Sequence, residues 1–175
     1  MKILKYLGIV ITILLVAFLS LGLAIPSFDY TSVVSINASP EKCWAVLHDT
    51  SRMKKWITGF ERLTLKSGVH FQTGAVYELI IHQEERYVMQ EVVKAVKMPE
   101  RSSYELTNDV LMSEYDITLV PKDSKTQIIA HYRIIGNNLI WKSILALSKS
   151  YLEKGSQTQL DLLKVEIENG DLEFD

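Results

Sequence analysis

Cys43 is the only cysteine in the chain, so no internal disulfide and no cysteine-rich metal site can form. Neither sign of charge predominates: 19 lysines and arginines face 21 aspartates and glutamates, a formal net charge of −2. That balance supplies no basic face for a phosphate backbone, and nucleic acid is not an expected partner. Glycine and proline are sparse, and no low-complexity stretch or solenoid-length repeat occurs. The four histidines, His48, His70, His82 and His131, lack the His-x-x-x-His or His-Glu-x-x-His spacing that sets two ligands on one helix face. They read as isolated surface or rim residues, with no metal and no cofactor expected. A Gly-x-Ser-x-Gly elbow and a phosphate-binding glycine loop are missing too, and no residue stands out as catalytic.

What is present begins with a run that carries no charge. From Tyr6 to Ile25 every residue is apolar or small, apart from the hydroxyls of Tyr6, Thr12 and Ser20. Thirteen of those twenty residues are Leu, Ile, Val or Phe, and a helix of about 20 such residues crosses a hydrocarbon core of ~30 Å. Lys2 and Lys5 precede the run, whereas Pro26, Ser27 and Asp29 follow it. The positive-inside rule then leaves the N-terminus cytoplasmic and exports the chain after Pro26. A signal peptide has the same polarity, and Gly22-Leu23-Ala24 offers small residues for cleavage. The run exceeds the ~7–15 apolar residues of a signal, however, which favours an uncleaved single-pass anchor. No cysteine sits near its end, so a lipoprotein site is absent. Residues 1–27 are thus expected to be a transmembrane anchor and residues 28–175 one folded domain.

In that domain Tyr30 to Ile36 is β-branched and predicts a strand. Ser39 and Pro40 then form a helix start, N-cap followed by proline at the first position. This helix carries Cys43, Trp44, Val46 and Leu47 and gives out near Asp49; Cys43 inside it reads as a buried, inert thiol. Ser51 to Trp56 predicts a second short helix. Six strands follow, over 60–66, 75–82, 87–96, 102–108, 112–120 and 126–135, joined by turn residues such as Ser67-Gly68 and Asn108-Asp109. Strands so closely spaced, without intervening helices, predict an antiparallel meander.

Alternation in the last two strands puts Tyr115, Ile117 and Leu119 on one face, and Ile128, Ala130, Tyr132 and Ile134 on one face. Paired as a hairpin, these strands would bring Glu114 and Asp116 near His131 and Arg133, a solvated charge ladder. Leu139 to about Glu168 predicts one long helix, with Ile140, Ile144, Leu147 and Tyr151 at helical spacing, flanked by Trp141, Leu145 and Leu152. Leu160, Leu163 and Ile167 extend the apolar stripe. Gly155 interrupts it and marks a bend or a close approach, and the acidic tail Gly170 to Asp175 is expected to fray.

The run from Ile36 to Asp49 (Ile-Asn-Ala-Ser-Pro-Glu-Lys-Cys-Trp-Ala-Val-Leu-His-Asp) fits an apolar-x-Ala-x-Pro-x-x-x-Trp-x-x-Leu-x-Asp pattern. With Trp56, Gly68, Gly74 and Tyr77, it resembles the START-like or SRPBCC superfamily, which includes polyketide cyclase/dehydrase-like and lipid-transfer proteins. The resemblance covers essentially everything after Pro26. It implies an α+β helix-grip fold: a curved antiparallel sheet, two short helices after the first strand, and a long C-terminal helix covering a largely apolar cavity. It implies neither a fixed cofactor nor a shared catalytic residue, and the iron–sulfur ligands of Rieske-containing relatives are absent here.

A tyrosine in an apolar cavity needs a partner for its hydroxyl, and a ligand carbonyl or hydroxyl can serve. Tyr77, Tyr104, Tyr115 and Tyr132, on separate strands, are therefore the candidate ligand-binding residues. The expected function is a membrane-anchored binding domain for a lipid or other hydrophobic small molecule. The alternative is a cyclase or dehydratase-like enzyme in the same cavity, drawing on Glu78, Glu91 or Glu105 to move protons.

Overall fold

The computed structural model describes residues 2–170. A long helix α1 (Lys2–Ala24) leads after two residues into strand β1 (Ser27–Ile36). Helices α2 (Pro40–Leu47) and α3 (Met53–Trp56) follow. Next come β2 (Phe60–Ser67), β3 (Val76–His82), β4 (Arg86–Lys97), β5 (Arg101–Thr107), β6 (Leu111–Lys122) and β7 (Lys125–Gly136), and finally α4 (Leu139–Asn169). The strands form one antiparallel sheet in the order β1-β7-β6-β5-β4-β3-β2, a meander closed at one edge by the first strand. Residues 171–175, most of the tail expected to fray, lie outside the described residues.

Local chemistry sets the helix boundaries. The Ser39 side chain accepts from the Lys42 N–H at 3.3 Å with Pro40 opening α2, and Asn138 accepts from the Trp141 N–H at 3.0 Å to open α4. Gly59, at φ +76°, turns the chain from α3 into β2 in a left-handed conformation that a side chain would disfavour. Trp44, Val46 and Leu47 pack α2 against Val34, Ile36, Ile128 and Ala130 of the sheet and against Leu160, Leu163 and Ile167 of α4. Arg52 donates to Glu166 at 2.6 Å and so ties the segment opening α3 to the C-terminal half of α4. The expected hairpin register holds, with Glu114 opposite Arg133 and Asp116 opposite His131.

Helix α4 departs from expectation in two ways. Its core side carries Ser143, Leu145, Leu160, Leu163 and Ile167, whereas Ile140, Leu147 and Tyr151 point outward, 56%, 65% and 75% exposed. The first half of α4 bears two apolar stripes, and only the one through Leu145 and Leu152 meets the sheet, against Phe28 and Ile134. Gly155 makes no close approach: α4 runs through it, and a Cβ there would meet nothing within 4 Å.

Helix α1 is long and apolar enough over Ile3–Ala24 to span a membrane. Most of its surface is exposed, and only its last two turns touch the domain. There the Gly22 N–H lies 3.1 Å from Ser143 Oγ on α4.

Candidate functional site

The concave face of the sheet and the facing side of α4 enclose a cavity of about 280 Å³. At one end it is walled by the buried Leu47, Ile117 and Leu160. Toward the end of the sheet where β1 begins, the lining is Ile57, Ile81, Met89, Leu106 and Leu111, all only half-buried. Because the strands alternate in direction, this end also gathers the α3–β2, β3–β4, β5–β6 and β7–α4 connections. These half-buried lining residues therefore lie among those loops, at the end of the sheet to which α1 is joined.

Across the floor runs a row of tyrosines created by strand register. Tyr104, Tyr115, Tyr132 and Tyr30 are direct cross-strand neighbours on β5, β6, β7 and β1. Their rings stack in sequence with centroids 4.8, 6.0 and 4.9 Å apart, close to the offset arrangement aromatic pairs favour. All four line the cavity. Burial pushes every one of these phenols above its ordinary pKa, so they serve as neutral hydrogen-bonding groups.

The hydroxyls are held differently. Tyr115 donates to Glu91 Oε2 at 2.6 Å, and the hydroxyls of Tyr30 and Ser156 lie 2.9 Å apart. Tyr104 reaches His48, whose Nδ1 is 2.9 Å from the Trp44 carbonyl. A carbonyl only accepts, so Nδ1 carries the proton and Nε2 accepts from the Tyr104 hydroxyl at 2.9 Å. Burial lowers the His48 pKa, which keeps the ring neutral and that tautomer in place.

Glu91 is the most unusual group in the site. It is only 6% exposed, lines the cavity, and has the Tyr115 hydroxyl as its hydrogen-bond partner. Burial raises its pKa more than the tyrosine's hydrogen bond lowers it. A neutral carboxyl beside a phenol can donate to and accept from a ligand oxygen. The other glutamates considered from sequence lie elsewhere: Glu78 pairs with Lys66 at 3.2 Å and Glu105 with Lys94 at 3.1 Å, both on the outer surface of the sheet.

Tyr77 does not line the cavity. It is buried, and its hydroxyl accepts from the Phe71 N–H at 2.6 Å and lies 3.1 Å from His70 Nδ1. This bond holds Phe71, a non-glycine residue at φ +50°, so that its ring reaches the cavity wall. Tyr77 thus positions a lining residue. Tyr30, absent from the sequence-derived set, takes the fourth place in the row. Its signal is its register opposite Tyr132, which only strand pairing reveals.

Among the described residues no group of three or more His, Cys, Asp or Glu side chains is placed to hold a metal. Cys43 is buried inside α2, where burial raises its thiol pKa.

No curated protein matches this chain. Among solved structures it is similar to the Zhui aromatase/cyclase of Streptomyces sp. R1128, at a TM-score of 0.68 and 13% identity over 81% of this chain and 93% of that one. It is also similar to protein CV1439 of Chromobacterium violaceum, at 0.63 and 18% over 82% and 97%. TTHA0849 of Thermus thermophilus aligns at 0.63 and 14% over 80% and 97%. At such identities these likenesses establish the helix-grip fold alone. The match that reaches further is to the family model for polyketide cyclase/dehydrase and lipid transport, which spans residues 27–168, and the chain belongs to that family.

Proposed function

We propose that this protein is a membrane-anchored binding domain that holds a lipid or other apolar small molecule between its sheet and α4. The observation that carries the reading is the cavity itself: apolar walls, a row of neutral phenols, and one buried carboxyl whose pKa burial raises. Ligand pockets pair an apolar lining with a few placed polar groups in this way. A volume of about 280 Å³ sits at the small end of the range of such sites and suits one acyl chain or a small ring system. The ligand should carry a hydroxyl or carbonyl for Glu91 and Tyr115. The run Ile3–Ala24 supports the anchor, and the two lysines before it support an orientation with the domain outside the cytoplasm.

Native mass spectrometry of the full chain released from detergent, after incubation with a single-chain fatty acid, tests this. The expected result is a one-to-one adduct on the wild-type protein. Leu160→Trp, which fills the cavity from α4, should abolish it while circular dichroism stays native. A wild-type chain that takes up neither the fatty acid nor any compound from a host lipid extract sinks the proposal.

One observation favours a second reading, a cyclase or dehydratase-like enzyme in the same cavity. Glu91 and Tyr115 are hydrogen-bonded inside the cavity, and burial raises the carboxyl's pKa above its ordinary value, as in a general acid. On that reading a poly-β-ketone mimic is turned over, and Glu91→Gln removes turnover with little change in affinity. On the binding reading the mimic is never converted, and the substitution alters affinity alone.

A further inference from the structure

Helix α1 and the first half of α4 meet at a depth that has a consequence for the whole domain. The span Ile3–Ala24 is about 33 Å long at 1.5 Å per residue, against a hydrocarbon core of ~30 Å. Gly22 therefore lies at the edge of that core. It is there that α4 packs: the Gly22 N–H faces Ser143 Oγ, and a Cβ on Gly22 would sit 2.6 Å from the Leu139 carbonyl oxygen. Small residues at such a contact let two backbones approach within a membrane. The start of α4 is thus held at the level where acyl chains meet headgroups.

At that level α4 turns an apolar face outward. Ile140, Leu147 and Tyr151 are more than half exposed and Ile144 is half-buried, all four on one side at helical spacing. The stripe continues the exposed apolar surface of α1, where Leu23 is also exposed. Trp141 and Tyr151 are residues that favour the membrane–water boundary. From Leu139 to Lys154 the charged residues are Lys142, Lys149 and Lys154 against Glu153 alone, the composition of a helix lying on an anionic lipid surface. Beyond Tyr151 the same side passes to Lys154, Gly155 and Thr158, and the apolar stripe ends where the helix would leave the interface.

We infer that the first half of α4 is a second membrane contact, with Ile140, Ile144, Leu147 and Tyr151 seated in the headgroup–acyl boundary of the bilayer that α1 crosses. This rests on α1 being a membrane span and names the source of the ligand. The two contacts fix the domain on the lipid surface instead of leaving it on a swinging tether. The end of the sheet where α1 joins β1, with the half-buried cavity residues Ile57, Ile81 and Leu111, is then the end beside the bilayer, and an apolar ligand entering there passes between membrane and cavity without crossing water.

The test uses the full chain in nanodiscs of phosphatidylcholine with phosphatidylglycerol. Single cysteines at positions 14, 64 and 147, in a Cys43→Ala background, carry a nitroxide read by its collisions with lipid-soluble oxygen and a water-soluble nickel complex. The expected pattern is oxygen-dominated collision at 14 and 147 and nickel-dominated collision at 64, on the exposed strand β2. Nickel-dominated collision at 147 with oxygen-dominated collision at 14 overturns the second contact and leaves the anchor standing. Nickel at both positions overturns the anchor reading itself. Shielding of 147 from both reagents shows a protein covering the face and also overturns the inference. Ile140→Ser/Leu147→Ser, read by a label at 151, should change that site from oxygen-dominated to nickel-dominated collision, and no change would count against the stripe as the cause.

Discussion

Glu91 and His48 face the same interior with opposite consequences for pH. The raised pKa of Glu91 means that the folded state holds its proton above the unfolded value of 4.5. Its contribution to stability is complete below pH 4.5 and is lost as pH rises through the folded pKa. Glu91→Gln should therefore flatten the decline of stability above pH 4.5, measured by thermal unfolding between pH 4 and 8. His48 behaves inversely. Its depressed pKa supplies stability that is complete above 6.5 and lost as pH falls toward the folded value. His48→Gln should remove part of the acid loss below pH 6.5 in the same measurement. Tyr115→Phe strips Glu91 of its donor and should cost about 1–3 kcal/mol, whereas Tyr115→Phe with Glu91→Leu should be much closer to neutral. If the double variant is as unstable as the sum of the singles, the pair is not a coupled unit. That Glu91, of the three glutamates the sequence offered, is the one pointing inward was not legible in strand β4. Its residues are apolar at both parities, Met89 and Val93 on one face with Val88 and Val92 on the other, and a bulge follows Val93. Alternation alone could not say which way Glu91 points.

Among the elements, α4 depends most on its partners. Its C-terminal half is tied to the α3 segment through Arg52 and Glu166, whose side chains are each 11% exposed. Burial raises the Glu166 pKa, but the bonds from Lys55 and Arg52 outweigh it and hold the carboxyl below its usual range. Arg52→Ala leaves that carboxylate buried with only Lys55 and should destabilise the domain by about 3 kcal/mol, read from a shift in urea midpoint. A loss under ~1 kcal/mol would mean that the pair is solvated in solution. Helix α2 follows local rules more closely, and Ser39→Ala should cost about 1 kcal/mol by removing the bond to the Lys42 N–H. The contrast has a physical basis. A cap acts within four residues and is written in the sequence. The face that α4 buries depends on where the sheet and α1 lie, and its periodic Ile140-to-Tyr151 stripe is left largely exposed.

At the scale of the molecule, the cavity is the space that the curved sheet and α4 do not fill. Leu160, at its closed end, is buried in contact with α2 and the sheet. Leu160→Ala should enlarge the cavity at a cost of about 2–5 kcal/mol in the absence of ligand. Added single-chain ligand should restore part of that loss, seen as a larger rise in melting temperature than in the wild type. An equal rise in both proteins would show that the ligand binds elsewhere. Only Ile25 and Pro26 separate α1 from β1, so such a cavity stays within a few residues of whatever α1 enters.

The amino-acid sequence by itself determined the charge-free run, the order of the elements, the start of α2 at Ser39-Pro40 and the family pattern through Trp44 and Leu47. Each of these acts over a few neighbouring residues or through the plain periodicity of a helix or strand. It also placed Tyr115 and Tyr132 on the inner face, because β6 and β7 alternate cleanly. The tertiary structure decided the rest. Tyr30 joined the row through its register with Tyr132, Tyr77 left it to hold Phe71, and Glu91 was found inside with Tyr115 as its partner. Those outcomes depend on which strand lies beside which and on water being excluded between sheet and helix, and neither is a property of any short stretch of chain.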